Sequence, residues 1–331
     1  MSVKWDPAKR VKLLLCIIVS SVCLYLAVRG MNFDQAIEEL KTTSLLPVLG
    51  AVFFLFVSHW IRAWRWGYLL LPIKTIAVLP LFRSTMIGFM GNFLFPFRAG
   101  EVMRAVSIGQ TEKISTASAL GSIVLERVFD GVVLSLTPFV LLTVLDLPAW
   151  VLRLNLVLLA VYMAGLLLAV VATTRGWALV WLKHFSRFLP EAINSRISSI
   201  GADFLQGMKG INRAGSLMKV CYLSLLCWLA CGMYFYFLFD ALDLNLSLWA
   251  ALVLQVVIAI GIIIPAAPGY AGNFEYFTIL GLALFGVPQE KAFAYALLAH
   301  IFQFIPVTSV GLFFAFKKGF KFKEIQQPAL T

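Results

Sequence analysis

Apolar residues run along this chain in blocks of about 17–25 positions, the length an α-helix needs to cross about 30 Å of hydrocarbon at 1.5 Å per residue. Such blocks cover residues 11–28, 45–71, 115–145, 151–173, 217–238 and 292–316, which predicts six full spans. Between the first two, Phe33, Ala36, Ile37 and Leu40 recur at helical spacing against Asp34, Glu38, Glu39 and Lys41. That pattern predicts a short amphipathic helix over 32–43, lying on the outer surface. Ten-residue alternating segments are absent, so no strands are predicted.

Two further apolar regions, 79–108 and 248–285, are interrupted by residues that hydrocarbon tolerates poorly. The first carries Asn92, Pro96, Arg98, Gly100, Glu101 and Arg104; the second carries Pro265, Pro268, Gly269, Gly272 and Glu275. A backbone broken at membrane depth leaves N–H and C=O groups unpaired, so it persists only where protein or a water-filled cavity covers it. Lys74 and Arg83 precede the first region and Lys113 follows it, so both its ends belong on one side and it reads as a re-entrant hairpin. The order of elements is then span, surface helix, span, broken hairpin, span, and the same again reversed. This predicts one membrane domain over 1–331, built as an inverted repeat of units 11–145 and 151–316. Residues 175–216, inside the second unit, form a cytoplasmic interfacial connection. Pro96 to Gly100 and Pro268 to Gly272 share the pattern Pro-x-x-Ala-Gly. Paired broken helices in inverted repeats place a transporter's substrate site between the repeats.

Composition agrees: 61% of the 331 residues are hydrophobic and only 13% charged, too apolar for a soluble domain. The formal net charge of +11 could point to nucleic acid, but Lys and Arg fall in short loops beside apolar runs, where the positive-inside rule accounts for them. Lys4, Lys9, Arg10 and Lys12 before the first span, and Lys317, Lys318, Lys321 and Lys323 after the last, put both termini in the cytoplasm. The basic stretch from Arg175 to Lys219, with Lys183, Arg187, Arg196, Lys209 and Arg213 and an aromatic face of Trp177, Trp181, Phe185 and Phe188, suits anionic lipid. The first span lacks a small-residue cleavage site and reads as retained. Cys16, Cys23, Cys221, Cys227 and Cys231 lie in apolar runs without a CxxC pair and read as packing residues.

Charge inside the spans narrows the candidate site, because each buried charge costs about 2.5–3.5 kcal/mol at a helix centre. Glu126 and Asp130 share one helical face, and Arg127 can reach Asp130. Two readings stand: a structural ion-pair cluster, or a head-group site in which Arg127 joins Arg98 and Arg104. In the second, Glu101, Glu126 and Asp130 hold the guanidiniums or exchange protons. Arg62 and Arg65 share a face within an aromatic cluster, as interfacial anchors or as lipid-phosphate ligands. A planar guanidinium suits phosphate because it offers two parallel hydrogen bonds. Glu275 needs a partner, expected from a basic residue of the first hairpin, while His300 and Gln303 read as a satisfied polar pair. No metal set, nucleophile elbow or P-loop occurs, so neither catalytic residue nor cofactor is expected.

Four motifs in order, Arg62-x-x-Arg65-Trp66, Gly88-x-x-x-Asn92-x-x-x-Pro96-x-Arg98-x-Gly100-Glu101-x-x-Arg104, Glu126-Arg127-x-x-Asp130, and Pro265-x-x-Pro268-Gly269-x-x-Gly272-x-x-Glu275, resemble the lysylphosphatidylglycerol synthase transmembrane-region family. The resemblance covers nearly the whole chain. It implies translocation of a lipid with a modified head group between leaflets of the cytoplasmic membrane, with polyprenyl-linked lipids among the substrates of standalone relatives. Within these 331 residues no counterpart of the full-length synthases' soluble aminoacyl-transferase domain is read, and lysyl transfer is not expected. The second break reads Pro-Gly-Tyr where many members resemble Pro-Gly-Gly. The expected function is therefore a lipid flippase or transporter; the alternative is a membrane-embedded transferase, or its subunit, acting on a lipid-linked substrate. Expected partners are membrane lipids and a lipid-synthesis enzyme or glycosyltransferase, not nucleic acid.

Overall fold

The computed structural model describes residues 7–175, 181, 184, 190–212 and 214–317. They are predominantly helical, without strands. In chain order the helices are α1 (Pro7–Val28), α2 (Phe33–Lys41), α3 (Leu45–Leu70), α4 (Val78–Leu94), α5 (Ala99–Glu112) and α6 (Thr116–Leu141). Then come α7 (Ala149–Arg175), α8 (Glu191–Met208), α9 (Ala214–Ala241), α10 (Leu248–Ile263), α11 (Asn273–Ala283) and α12 (Gln289–Lys317). The protein is an all-α polytopic membrane protein. Among the described residues α3, α7, α9 and α12 are long and apolar enough to cross a membrane, and α1 with α2 makes a fifth candidate bent by 83°. Helix α6 has the length, 26 residues, and carries Glu126, Arg127 and Asp130 within it.

Local chemistry sets the ends of these elements. Asn32 caps α2 by accepting from the Asp34 and Gln35 N–H groups. Both predicted hairpins are broken where proline dictates. A residue before proline is pushed to extended geometry by the ring's Cδ. Phe95, before Pro96, has φ −118° and ψ 145°, and α4 stops at Leu94. Ile264, before Pro265, has φ −66° and ψ 133°, and α10 stops at Ile263.

The long helices α3 and α9 pack along each other at the centre. Around them the packing is reciprocal between the halves: α2 lies on α12 and α8 on α6, α4 lies on α12 and α10 on α6. One buried cluster joins Leu55, Tyr234, Phe239, Leu254 and Tyr295, and a second joins Trp66, Leu70, Ile108, Ile123 and Leu125. The first helix of each half departs from the rule, since α1 packs on α11 whereas α7 packs on α6. Leu156, Val157, Val161, Leu167 and Leu168 of α7 are exposed, as suits side chains facing lipid. Of the basic and aromatic stretch after α7, Trp177, Lys183, Phe185, Arg187, Phe188 and Arg213 lie outside the described residues, as do Lys4, Lys318, Lys321 and Lys323. Its remaining helix, α8, is seated on α6: a Cβ on Gly121 would strike the Phe204 carbonyl, and one on Gly207 the Ser118 carbonyl.

Candidate functional site

The two breaks meet. Phe93, at the end of α4, packs edge-on against Tyr270 and at a tilt against Phe304, and its carbonyl lies close to Gly269. A cavity of about 220 Å³ runs between Asn92, Pro96 and Arg98 on one side and Ile262 to Ala267 with Tyr270 on the other. It continues, through the shared walls Asn92, Arg98, Ile262 and Tyr270, into a second hollow of about 120 Å³ that reaches Glu101, Arg127, Phe274 and Gln303.

Each hairpin is closed by its own means. In the first, α4 and α5 touch backbone to backbone, because a Cβ on Gly100 would overlap the Gly88 carbonyl and the Asn92 N–H. Phe97 and Arg98 make the reversal at φ 62° and 52°, a left-handed geometry costly for residues with a Cβ. Arg98 is thereby turned outward, and its NH2 donates to the Ile262 carbonyl at 3.1 Å. A cation of the first break thus satisfies an orphan carbonyl at the C-terminus of α10, where the helix dipole favours positive charge. In the second hairpin, Asn273 Nδ2 donates to the carbonyls of Gly261 and Ile264, and Glu275 Oε2 accepts from the Gly272 N–H at 2.6 Å. Helix α1 covers this break: Ser20 Oγ accepts from the Ala267 N–H at 2.8 Å and donates to Asn273 Oδ1.

Beside the cavity lies a buried charge cluster. Arg62 and Arg65 of α3 donate to Asp130 at 2.8 and 2.6 Å, and Trp228 Nε1 donates to the same carboxylate at 3.1 Å. Arg104 of α5 grips Glu126 with two bonds of 2.9 and 3.0 Å while its guanidinium lies over the Trp66 ring. Arg65 and Glu126 are 0% exposed. Arg127 differs: it donates to Asp130 and Glu126 at 3.2 and 3.1 Å, approaches Glu101 at 3.4 Å, and leaves 30% of its side chain exposed towards the cavity. Around the cavity and cluster, five guanidiniums (Arg62, Arg65, Arg98, Arg104, Arg127) meet three carboxylates (Glu101, Glu126, Asp130), leaving net positive charge. Among the described residues no group of His, Cys, Asp and Glu could hold a metal.

The expected site residues therefore divide. Arg98, Arg127, Glu101, Asn92, Pro96 and Pro265 line the cavity. Arg62, Arg65 and Arg104, expected at a head group, do not line it; desolvated guanidiniums need carboxylates, and Asp130 and Glu126 hold them. Nor are Arg62 and Arg65 interfacial anchors, being buried between helices. Glu275 does not pair with a basic residue of the first hairpin. Its partner is His300 Nδ1, from the adjoining helix α12. His300 is accordingly bound to Glu275 and, at 2.7 Å, to the Gly269 carbonyl, and is not paired with Gln303. Ser20 is the neighbour that sequence reasoning missed, since a serine in an apolar helix gives no signal, and the bonds that Asn273 makes across the second break were not foreseen.

The model of the lysylphosphatidylglycerol synthase TM region matches residues 13–311. The chain belongs to that family. Similar curated relatives are two UPF0104 membrane proteins of Methanothermobacter thermautotrophicus. One is 27% identical over 77% of this chain and 78% of the relative, the other 22% identical over 89% and 92%. A UPF0104 membrane protein of Methanocaldococcus jannaschii is 24% identical over 66% of this chain and 90% of the relative. Membership in the lysylphosphatidylglycerol synthase family supports a lipid-related role in a membrane.

Proposed function

We propose that this protein moves an anionic, phosphate-bearing lipid between the leaflets of the cytoplasmic membrane. The carrying observation is the surplus of guanidinium over carboxylate around a cavity where both breaks meet. A net positive hollow favours an anion, the more so where apolar walls lower the dielectric and magnify each charge. Arg98 and Arg127 are the two guanidiniums with free approach to a phosphate. The buried Arg62, Arg65 and Arg104, with Asp130 and Glu126, form the frame that orients Arg127. The small cavity suits a head group, while acyl chains stay in the bilayer.

The reciprocal packing of the two halves supports an inverted repeat, with units 11–145 and 151–316 and one hairpin gating each side. The basic flanks support six spans with both termini in the cytoplasm.

To test the reading, the purified protein is reconstituted in vesicles containing a head-group-labelled anionic lipid, and exchange is followed with a membrane-impermeant quencher. The wild type should accelerate exchange, and Arg127→Ala should return it to nearly the protein-free rate. Exchange that is unchanged by this substitution overturns the site.

A further inference from the structure

We infer that Glu275 and His300 form a proton-binding site that latches the second break, making a proton the coupling ion of the transport proposed above. The inference follows from counting hydrogens. His300 Nε2 lies 2.7 Å from the Gly269 carbonyl, which can only accept, so Nε2 carries a hydrogen. In a neutral ring Nδ1 would then present a lone pair, yet Nδ1 faces Glu275 Oε1. The other carboxylate oxygen is already accepting from the Gly272 N–H. A lone pair facing a lone pair is repulsive, so the arrangement requires one more proton, shared between ring and carboxyl.

Loss of that proton would undo the latch from either end. If the imidazole turns away, the Gly269 carbonyl is released; if the carboxylate swings away, the Gly272 N–H is released. Both groups belong to a turn in which Tyr270, between Gly269 at φ 75° and Gly272 at φ 85°, is held at φ 60°, a region costly for a residue with a Cβ. Such a turn persists only while its surroundings hold it. The pair is placed to feel the cavity. Gln303, one helical turn from His300, and Phe274, which packs on the imidazole, both line the hollow that contains Arg98, Glu101 and Arg127.

The groups facing the pair leave the proton's position to these two residues. Tyr270 stands on the break, Arg98 and Glu101 reach the cavity from the first hairpin, and Arg127 from α6. Tyr234 of α9 donates to the Ala299 carbonyl beside His300. Helix α1 contributes Ser20 and the thiols Cys16 and Cys23, and α10 has no titratable residue. A phosphate arriving at Arg98 and Arg127 would oppose the carboxylate, so proton and lipid would act on one turn.

The decisive variant is Glu275→Gln. A glutamine can accept from the Gly272 N–H and donate to Nδ1 of a neutral ring, so it keeps the latch shut at neutral and alkaline pH, where the wild type loses its extra proton. A reporter cysteine at Ala266, on the cavity wall, would be introduced after replacement of the five native cysteines, and its labelling by an impermeant maleimide measured against pH. The ratio of wild-type to Glu275→Gln labelling cancels the thiol's own titration and should rise several-fold from acid to alkaline pH. A ratio flat across pH overturns the latch. Lipid exchange by the unsubstituted protein under an imposed pH gradient is the second measurement, and needs no variant. Exchange that ignores the gradient removes the coupling and leaves the lipid reading intact; no exchange in any condition, with pH-dependent labelling preserved, removes the lipid reading and leaves the latch.

Discussion

At the first break the chain reverses between two helices in backbone contact, and the limb that follows is pinned to α6 by the paired bonds from Arg104 to Glu126. At the second, the limbs are joined by single hydrogen bonds from Asn273, and the limb that follows is tied to α12 by one imidazole. The topological positions match, since in each half the second limb of the hairpin bonds to the next long helix. The chemistry does not. A fully buried ion-pair network tolerates no loss of a partner, because the remaining charge stays desolvated. A turn closed by few bonds can be opened by one proton or one displaced side chain. By this comparison the first hairpin is the stiffer, charged wall of the cavity and the second the gate that opens more readily.

The largest test of that contrast is Glu126→Ala. It strands Arg104 and weakens the hold on Arg65 and Arg127, and should cost about 3–5 kcal/mol, seen as a sharp fall in the thermal unfolding midpoint in detergent. Were the fall no greater than for Glu275→Ala, the rigid-wall reading would fail. Next is Gly100→Ala, whose methyl would overlap the Gly88 carbonyl. Backbone cannot step aside there, so about 1–3 kcal/mol is expected by the same assay. By contrast Gly269→Ala meets nothing closer than 3.4 Å and pays only for its left-handed backbone, about 1–2 kcal/mol. The smallest effect belongs to Ser20→Ala, which removes the acceptor for the Ala267 N–H and should lower stability by about 1 kcal/mol. Its expected signature is faster labelling at the second break with labelling near Pro96 unchanged.

Much of this architecture was readable before any coordinates. The breaks could be read because proline acts on its immediate neighbour: Phe95 and Ile264 turn extended wherever the rest of the chain lies. The shared face of Glu126 and Asp130, and that of Arg62 and Arg65, could be read because helical spacing is local. That these two faces meet could not, since Arg62 and Asp130 lie 68 positions apart and nothing in either helix specifies the other. The pairing of Glu275 was misjudged for a related reason. The search for a partner favoured a full positive charge, while the fold offered the nearby ring of His300 and a backbone N–H.

By itself, then, the sequence determined that this is a helical membrane protein and where two of its helices must break, because hydrophobic length and proline sterics act over a few residues at a time. Tertiary structure alone decided which guanidiniums are locked away and which reach the cavity. It also decided that a serine of the first helix and a histidine of the last close the second break, because those outcomes depend on which distant surfaces exclude lipid and water together.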